Sequence, residues 1–558
     1  MNPNEGLLWE ITIGEQMNRL AREYPDREAV AYTDRDYRRT WKSFNEEIDR
    51  VARAFMALGI KKGEHVAVWA TNVPEWILTF FAAIKIGAVL VTVNTAYKIY
   101  ELEYLLRQSD SKALVMIDGF KDTDYVQIVN ELCPEIAEGD PGNQHIKRLP
   151  RLKMVIHAGK HTPAGMIPFA ALDTLSHNVP ESEYRALSGS LTCDEIINMQ
   201  YTSGTTGFPK GVMLTHRNIL NNGRFIGDNL AFTTEDKLCI TVPFFHCFGM
   251  VLAIMACIAH GTAMVPVDIF SPLKVMEAVE NERCTALHGV PTMFIAILSH
   301  PEFSRFTFPV LRTGIMAGSP CPIKTMEQVV SDMHLRHITS VFGQTESSPG
   351  CTQTSVDDPL EYRTSTVGRS LPGCENRIVD PETNQPLPVG VQGEFCTRGY
   401  HVMKGYYNMP EATAQAIDSQ GWLHTGDLAV VDENGYYKIT GRIKDMIIRG
   451  GENIYPKEIE DFIYRHPAVS DVQVIGVPSV RYGEEICACI ILKKGQSATE
   501  DELKTYVRGS MARHKTPSYV WFVDSFPMTA SGKIQKFKLR EIATERFGLQ
   551  EAGQIETA

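Results

Sequence analysis

The stretch Tyr201-Thr-Ser-Gly-Thr-Thr-Gly-Phe-Pro-Lys-Gly-Val212 sets glycines, hydroxyls and one lysine at a spacing that suits an anionic ligand. Gly204, Gly207 and Gly211 let the backbone turn and approach a ligand that a Cβ would obstruct. Thr202, Ser203, Thr205 and Thr206 put hydroxyls beside exposed N–H groups, and Lys210 adds a mobile positive charge. Successive N–H groups of this kind form a concavity for phosphate. The pattern differs from the Walker loop, because Pro209 stands where that motif has glycine and Gly211 follows the lysine. Taken alone, the stretch also fits a surface turn.

Five further segments carry groups that could act with it. Val341-Phe-Gly-Gln-Thr-Glu346 ends an apolar strand on a carboxylate. Open α/β sheets bind ligands beyond the carboxyl ends of their strands, where Glu346 could hold a Mg²⁺ on phosphate; a solvated loop glutamate is the plain alternative. In Thr425-Gly-Asp427 the aspartate could accept from the vicinal hydroxyls of a ribose, with Arg442 adding donors, although Gly-Asp is also ordinary turn chemistry. In Pro527-Met-Thr-Ala-Ser-Gly-Lys533, Gly532 frees the backbone so that Lys533 can project. With Lys536, Lys538 and Arg540 it equally fits a solvated basic face. Pro243-Phe-Phe-His-Cys-Phe-Gly249 and Val290-Pro-Thr-Met-Phe294 could line an apolar pocket, or could be plain core.

The elements that must position these groups read as alternating strands and helices. Ser43 to Glu46 has the form of a capping box, followed by apolar Phe44, Ile48, Val51, Phe55 and Leu58, with Gly59 as a left-handed cap. Short apolar runs at 65–69, 89–93 and 113–117 alternate with helical stretches, notably 76–86, and the pattern returns after the glycine-rich loop at 238–243, 262–267, 285–290 and 312–317. Continuous apolar strands of this sort belong to parallel sheets covered on both faces. The expected fold class is α/β. It comprises a large N-terminal domain (residues 1–441) of two similar α/β subdomains plus a β-rich subdomain at about 362–440, a hinge at 442–446, and a small mobile α+β C-terminal domain at 447–558.

With 558 residues and a net charge of −12, the chain offers no broad basic surface for nucleic acid. Its 12 cysteines include no CxxC pair, which favours buried thiols over disulfides or a zinc site. The N-terminus lacks a basic and then apolar leader, and the apolar run 249–267 is interrupted by His260, Gly261 and Pro266. The expected setting is cytoplasmic, without a transmembrane segment.

The segments quoted, taken in their order along the chain from about Thr40 to Lys538, resemble the acyl-adenylate-forming superfamily, and most closely its medium-chain fatty acyl-CoA synthetases. The resemblance implies that Thr202 to Lys210 cradles the phosphates of ATP, with Thr202 and Glu346 on Mg²⁺. Phe342, where tyrosine is more usual, stacks on adenine beside Gly343, Gln344 and Thr345, opposite Gly318, Ser319 and Pro320. Asp427 and Arg442 line the ribose and Lys444 is the hinge residue. Arg449, Gly450 and Gly451 border the coenzyme A tunnel. His246 lies near the acyl carboxylate, and Phe248, Gly249, Val290, Pro291, Gly314 and Met316 line the acyl pocket. Lys533 is the catalytic lysine that bridges carboxylate and α-phosphate. The implied reaction joins a carboxylic acid to coenzyme A with cleavage of ATP to AMP and diphosphate, by way of an acyl-adenylate.

Medium-chain acids lead because no tryptophan in 342–349 closes the pocket to acetate size. Aryl or alicyclic acids are the alternative, and a non-catalytic ATP-binding scaffold is the rival of a different class. An amino-acid-activating domain is disfavoured, since 243–246 holds no aspartate for a substrate ammonium. A luciferase-type oxygenase would share every motif. The expected partners are small molecules (the acid, ATP and coenzyme A), and a homodimer is compatible with this reading.

Overall fold

The computed structural model describes residues 6–202, 209–319, 321–449, 452–529 and 532–550. By packing, the chain divides into two compact units: Met1–Asn376 with Thr397–Leu423, and Arg377–Cys396 with His424–Ala558.

The first unit holds two large sheets, as the alternation of apolar runs predicts. One has eight strands, with Ile196–Thr202, Val89–Thr92, His65–Trp69, Ser111–Met116, Met154–His157 and Ile167–Pro168 side by side and parallel. Lys210–Thr215 and then Gly405–Tyr406 extend it antiparallel beyond Ile196–Thr202. The other has seven strands; Ala263–Pro266, Lys237–Ile240, Ala286–Gly289, Thr313–Met316 and His337–Thr339 run parallel within it. Val66, Val68, Leu90 and Val91 are wholly buried, as are Leu238, Ile240 and Ile315, which is why these strands read as unbroken apolar runs.

The helix expected from Ser43 begins earlier. It spans Trp41–Ala57, and Thr40 is its N-cap, in a capping box with Ser43. Thr40 is in extended backbone and its hydroxyl accepts from the Ser43 N–H, so Ser43 is the third residue of the first turn and the Ser43–Glu46 spacing was a false signal. Gly59 does adopt the expected left-handed conformation, at φ +77°.

The run 249–267 divides into helix and strand, but its first part is a π-helix, Phe248–Met255, continuing as the α-helix Ala256–His260 before the strand Ala263–Pro266. An ideal Cβ on Gly249 would lie 2.2 Å from the Pro243 carbonyl oxygen, so only glycine lets this helix start against that turn.

In the second unit, the hairpin Leu423–Val431 with Tyr437–Arg442 leads through the short 3₁₀ turn Ile443–Asp445 into a five-stranded sheet. Gly483–Leu492 is its central strand, joined in a long hairpin to Val469–Ser479 and paired in parallel with Tyr519–Phe522. The helices Pro456–Ile463 and Glu500–Arg508 cover it, burying Ile459, Ile463, Leu503 and Val507 with Val472, Val474, Ile486 and Ile490.

Candidate active site

In the first unit, the register of the eight-stranded sheet brings four groups together. Thr202 is the Cα partner of Lys210 across the ladder, at the two ends of the loop. The Thr202 hydroxyl donates to Glu346 Oε1 at 3.5 Å. Tyr406, held beside Val212 by strand pairing, donates its hydroxyl to the same oxygen at 2.8 Å. The ammonium of Lys210 lies 4.6 Å from the centroid of the Tyr406 ring, within cation–π range. Burial, and then the Glu346 charge, push the Tyr406 phenol above the ordinary tyrosine value, so it stays a donor. Thr202 and Glu346 thus present a hydroxyl and a carboxylate side by side, the oxygen donors that a hard divalent cation prefers. Ser203, Gly204, Thr205, Thr206 and Gly207 lie outside the described residues, as do Pro320, Gly450 and Gly451.

Phe342 and Gly343 sit on the strand Val341–Gly343, followed by Gln344 and the turn Thr345–Ser347 that carries Glu346. The Gln344 N–H donates to Ser347 Oγ at 3.1 Å, and Met403 N–H donates to the Glu346 carbonyl at 2.9 Å. Gly318 has φ +89°, and a Cβ there would lie 3.2 Å from Val290 and 3.8 Å from Phe248, so this turn approaches two of the expected pocket residues; Ser319 follows it. Thr345 donates to Cys247 Sγ at 3.6 Å, tying the Phe342–Glu346 segment to the His246 turn. His246 Nδ1 accepts from the Phe248 N–H at 3.2 Å. Pro291 opens the helix Pro291–Leu298 with Val290 as its N-cap. Met316 packs with Cys239, Val265 and Leu287, whereas Phe248 and Val290 belong to another core cluster. A Cβ on Gly314 would strike the Leu287 carbonyl oxygen at 1.9 Å, which fixes glycine there by packing.

The second unit gathers another group. Asp427 and Arg442 face each other across the hairpin, with Arg442 Nε 2.8 Å from Asp427 Oδ1. The turn holding Asp427 is clamped: the Gly426 N–H donates to Glu394 Oε1 at 2.9 Å, and the Thr425 hydroxyl donates to the Phe395 carbonyl at 2.6 Å. Gly426 takes φ +69°, which favours glycine. Burial raises the Asp427 carboxyl above its ordinary value, while Arg442, Lys533 and Lys444 pull it back.

Lys533 faces this cluster. Its ammonium is pushed down to about 8, first by desolvation, then by Arg442 and Lys444, with Asp427 and Asp445 opposing. The residue as a whole is exposed. Lys444 is lowered for the same reasons, desolvation and then Arg442. Arg449 grips Glu485 through two bonds of 2.7 and 2.9 Å and lies over the Tyr482 ring.

Sequence reasoning missed Tyr406 and Glu394. Tyr406 acts through strand pairing nearly two hundred residues from Val212, and Glu394 through a neighbouring strand, so neither shows in local spacing.

The profile of the AMP-binding enzyme family matches residues 17–407, and that of the AMP-binding enzyme C-terminal domain matches 458–533. The chain belongs to the AMP-binding enzymes. It is 54% identical over 538 residues to "Putative acyl-CoA synthetase YngI" of Bacillus subtilis (strain 168), covering 96% of this chain and 98% of that one. It is 41% identical to the "Medium-chain acyl-CoA ligase ACSF2, mitochondrial" of Rattus norvegicus, over 95% of this chain and 87% of that one. Among solved structures it resembles ATP-bound MatB from Rhodopseudomonas palustris, with TM-score 0.82, 29% identity, and 96% and 100% of the two chains covered. These relatives make the protein an AMP-forming acyl-CoA synthetase of the acyl-adenylate-forming superfamily, a ligase with ATP and coenzyme A as substrates. The large N-terminal and small C-terminal α/β parts agree with that fold. Among the described residues, no helix of this synthetase is long and apolar enough to cross a membrane.

Proposed function

We propose that this synthetase activates medium-chain fatty acids in two steps. The carboxylate attacks the α-phosphorus of ATP, forming acyl-adenylate and releasing diphosphate. The thiol of coenzyme A then attacks the acyl carbonyl and releases AMP. The observation that carries this reading is the gathering of Lys533, Arg442 and Lys444 round Asp427. Three cations against Asp427 and Asp445 make a field that a polyanion would relieve.

In the first step two anions must meet. A preorganised ammonium at Lys533 offsets their repulsion, and loss of such a group costs about 10²–10³ in rate. Asp427 accepts from the ribose hydroxyls, with Arg442 holding its carboxylate in place. Phe342 stacks on adenine between its own segment and the Gly318 turn. A Mg²⁺ bound by Thr202 and Glu346 would supply charge neutralisation on the phosphates. Tyr406 keeps the Glu346 carboxylate aimed, and Lys210 adds charge to the phosphate loop.

His246 and the pocket formed by Phe248, Gly249 and Val290 receive the acyl group. Residues 442–446 act as the hinge on which 447–558 turns between the steps, with Arg449 bordering the thiol entry. Medium-chain acids are supported by the name of the rat relative and by the absence of tryptophan in 342–349.

A panel of straight-chain, aryl and alicyclic acids, scored by AMP formation with and without coenzyme A, tests this. The expected result is a maximum at medium chain length and strong dependence on coenzyme A. A maximum on acetate or on aryl acids overturns the substrate assignment, and absence of acid-dependent diphosphate release overturns the mechanism.

A further inference from the structure

Close to the ribose turn, three side chains of different chemistry converge on one point. Glu394 and Cys396 lie two apart on the strand Gly393–Gly399 and therefore face the same way; His424 projects from the neighbouring strand Leu423–Val431. His424 Nδ1 is 2.8 Å from Glu394 Oε2 and 3.4 Å from Cys396 Sγ. All three donor atoms lie within 4.8 Å of one another. A single ring nitrogen holds either a proton or a lone pair, so it can serve the carboxylate or the thiol but not both in the ordinary sense. A cation at the focus would serve all three.

We propose that Glu394, Cys396 and His424 form a binding site for a zinc-type divalent ion, separate from the magnesium position at Thr202 and Glu346. Thiolate, imidazole and carboxylate together match zinc's ligand preferences, and this mixed set disfavours magnesium or calcium, which take oxygen alone. Bond lengths of about 2.0–2.2 Å to nitrogen and oxygen and about 2.3 Å to sulfur put tetrahedral ligand atoms about 3.3–3.6 Å apart. The nitrogen–sulfur pair already has that separation, and the carboxylate must withdraw by a fraction of an ångström.

The charges also close: Glu394 and a Cys396 thiolate balance the ion, and His424 binds as neutral imidazole with any Nδ1 proton moved to Nε2. On binding, the S–H bond of Cys396 breaks, a sulfur–metal bond forms, and the proton leaves to solvent. Cys396 is wholly buried and Glu394 nearly so, while the His424 side chain is 22% exposed and forms the open side through which an ion enters. With three protein ligands, the fourth position is left to water. Glu394 is shared with the ribose turn through its other oxygen, which accepts from Gly426.

The test uses the full-length protein stripped with a chelator. Equilibrium dialysis against Zn²⁺ should give one equivalent bound with micromolar affinity or tighter, and Co²⁺ in its place should give a thiolate-to-cobalt charge-transfer band. Cys396→Ser should abolish that band, and His424→Ala should weaken Zn²⁺ binding at least about tenfold. Both variants are compared with the parent for melting temperature without metal. A parent protein that takes up no stoichiometric Zn²⁺ overturns the proposal whether or not the variants fold, leaving the three residues as a hydrogen-bonded clasp. So does a charge-transfer band that persists in a folded Cys396→Ser variant. Neither result depends on ligase activity.

Discussion

At the scale of single residues, the charges that meet decide the chemistry. Lys533 titrates near 8, well below the ordinary lysine value of 10.5, so much of it is neutral at pH 8 in the nucleotide-free enzyme. An ordinary lysine there has only about a hundredth as much free amine. Lys533 should therefore be the lysine labelled first by an amine-reactive reagent at pH 8, and ATP should protect it; uniform labelling of surface lysines would refute the assignment. Lys533→Ala should abolish acyl-adenylate formation, by at least about 10², while supplied acyl-adenylate is still converted to thioester. Equal loss of both half-reactions would remove its special role.

Tyr406→Phe keeps the ring under Lys210 but deletes the donor to Glu346. A hydrogen bond to a charged acceptor is worth about 1.5–3 kcal/mol. The Mg²⁺ concentration needed for half-maximal adenylation should accordingly rise about tenfold or more, and an unchanged Mg²⁺ requirement would count against the arrangement. Lys533, Glu346 and Asp427 stand beside turn-marking residues, but taken alone each also fits plain surface chemistry, and it is the family resemblance that singles them out. Tyr406 was not legible in the chain, because its role comes from a strand partner remote in sequence.

At the scale of elements, apolar patterning was a good guide to existence and a poorer one to ends. The strands at 238–243 and 312–317 appear shortened to Lys237–Ile240 and Thr313–Met316, since their last residues leave the ladder to build turns. The π-helix Phe248–Met255 was invisible to periodicity: every one of its residues is buried, so no polar face marks its pitch. In the second unit, the strand Val469–Ser479 carries a carboxyl in an apolar setting. Asp471 is raised to about 6, chiefly by burial and further by Glu460, against a bond from the Val472 N–H.

Because the folded value lies above the unfolded one, Asp471 disfavours the native state increasingly as pH climbs from about 4 through 6, and the cost is complete above 6. Asp471→Asn retains an oxygen for Val472 but cannot ionise. It should melt higher than the parent at pH 8, with the gap closing by pH 4; a gap independent of pH would show that ionisation is irrelevant.

For the whole molecule, three buried histidines set the acid limit. His216 and His401 are lowered to about 3 and His288 to about 4, in each case chiefly by burial. All three lie in the first unit. Their folded values lie below the ordinary 6.5, so the unfolded chain takes up protons that the native unit refuses. Stability should then fall as pH drops below 6.5, by up to about 4 kcal/mol per pH unit at the steepest. Melting temperature recorded by fluorescence from pH 7 to 5 should decline continuously; a flat profile would mean that the histidines are charged in place.

That the chain has a large and a small part could be read from the sequence, with the boundary expected at 442–446 and the change of texture near 362 read as a β-rich subdomain of the large part. The path of the chain between the units could not. Packing sends 377–396 to one unit, returns 397–423 to the other, and crosses again at 424. Such a thread bears on how genes of this kind can trade parts. A single genetic crossover placed anywhere from 377 to 423 would separate strands that fold together, and the hybrid would inherit mismatched halves of one sheet. Downstream of Ile443–Asp445 the chain never goes back, so the tail from there onward is the portion that one exchange can carry over whole.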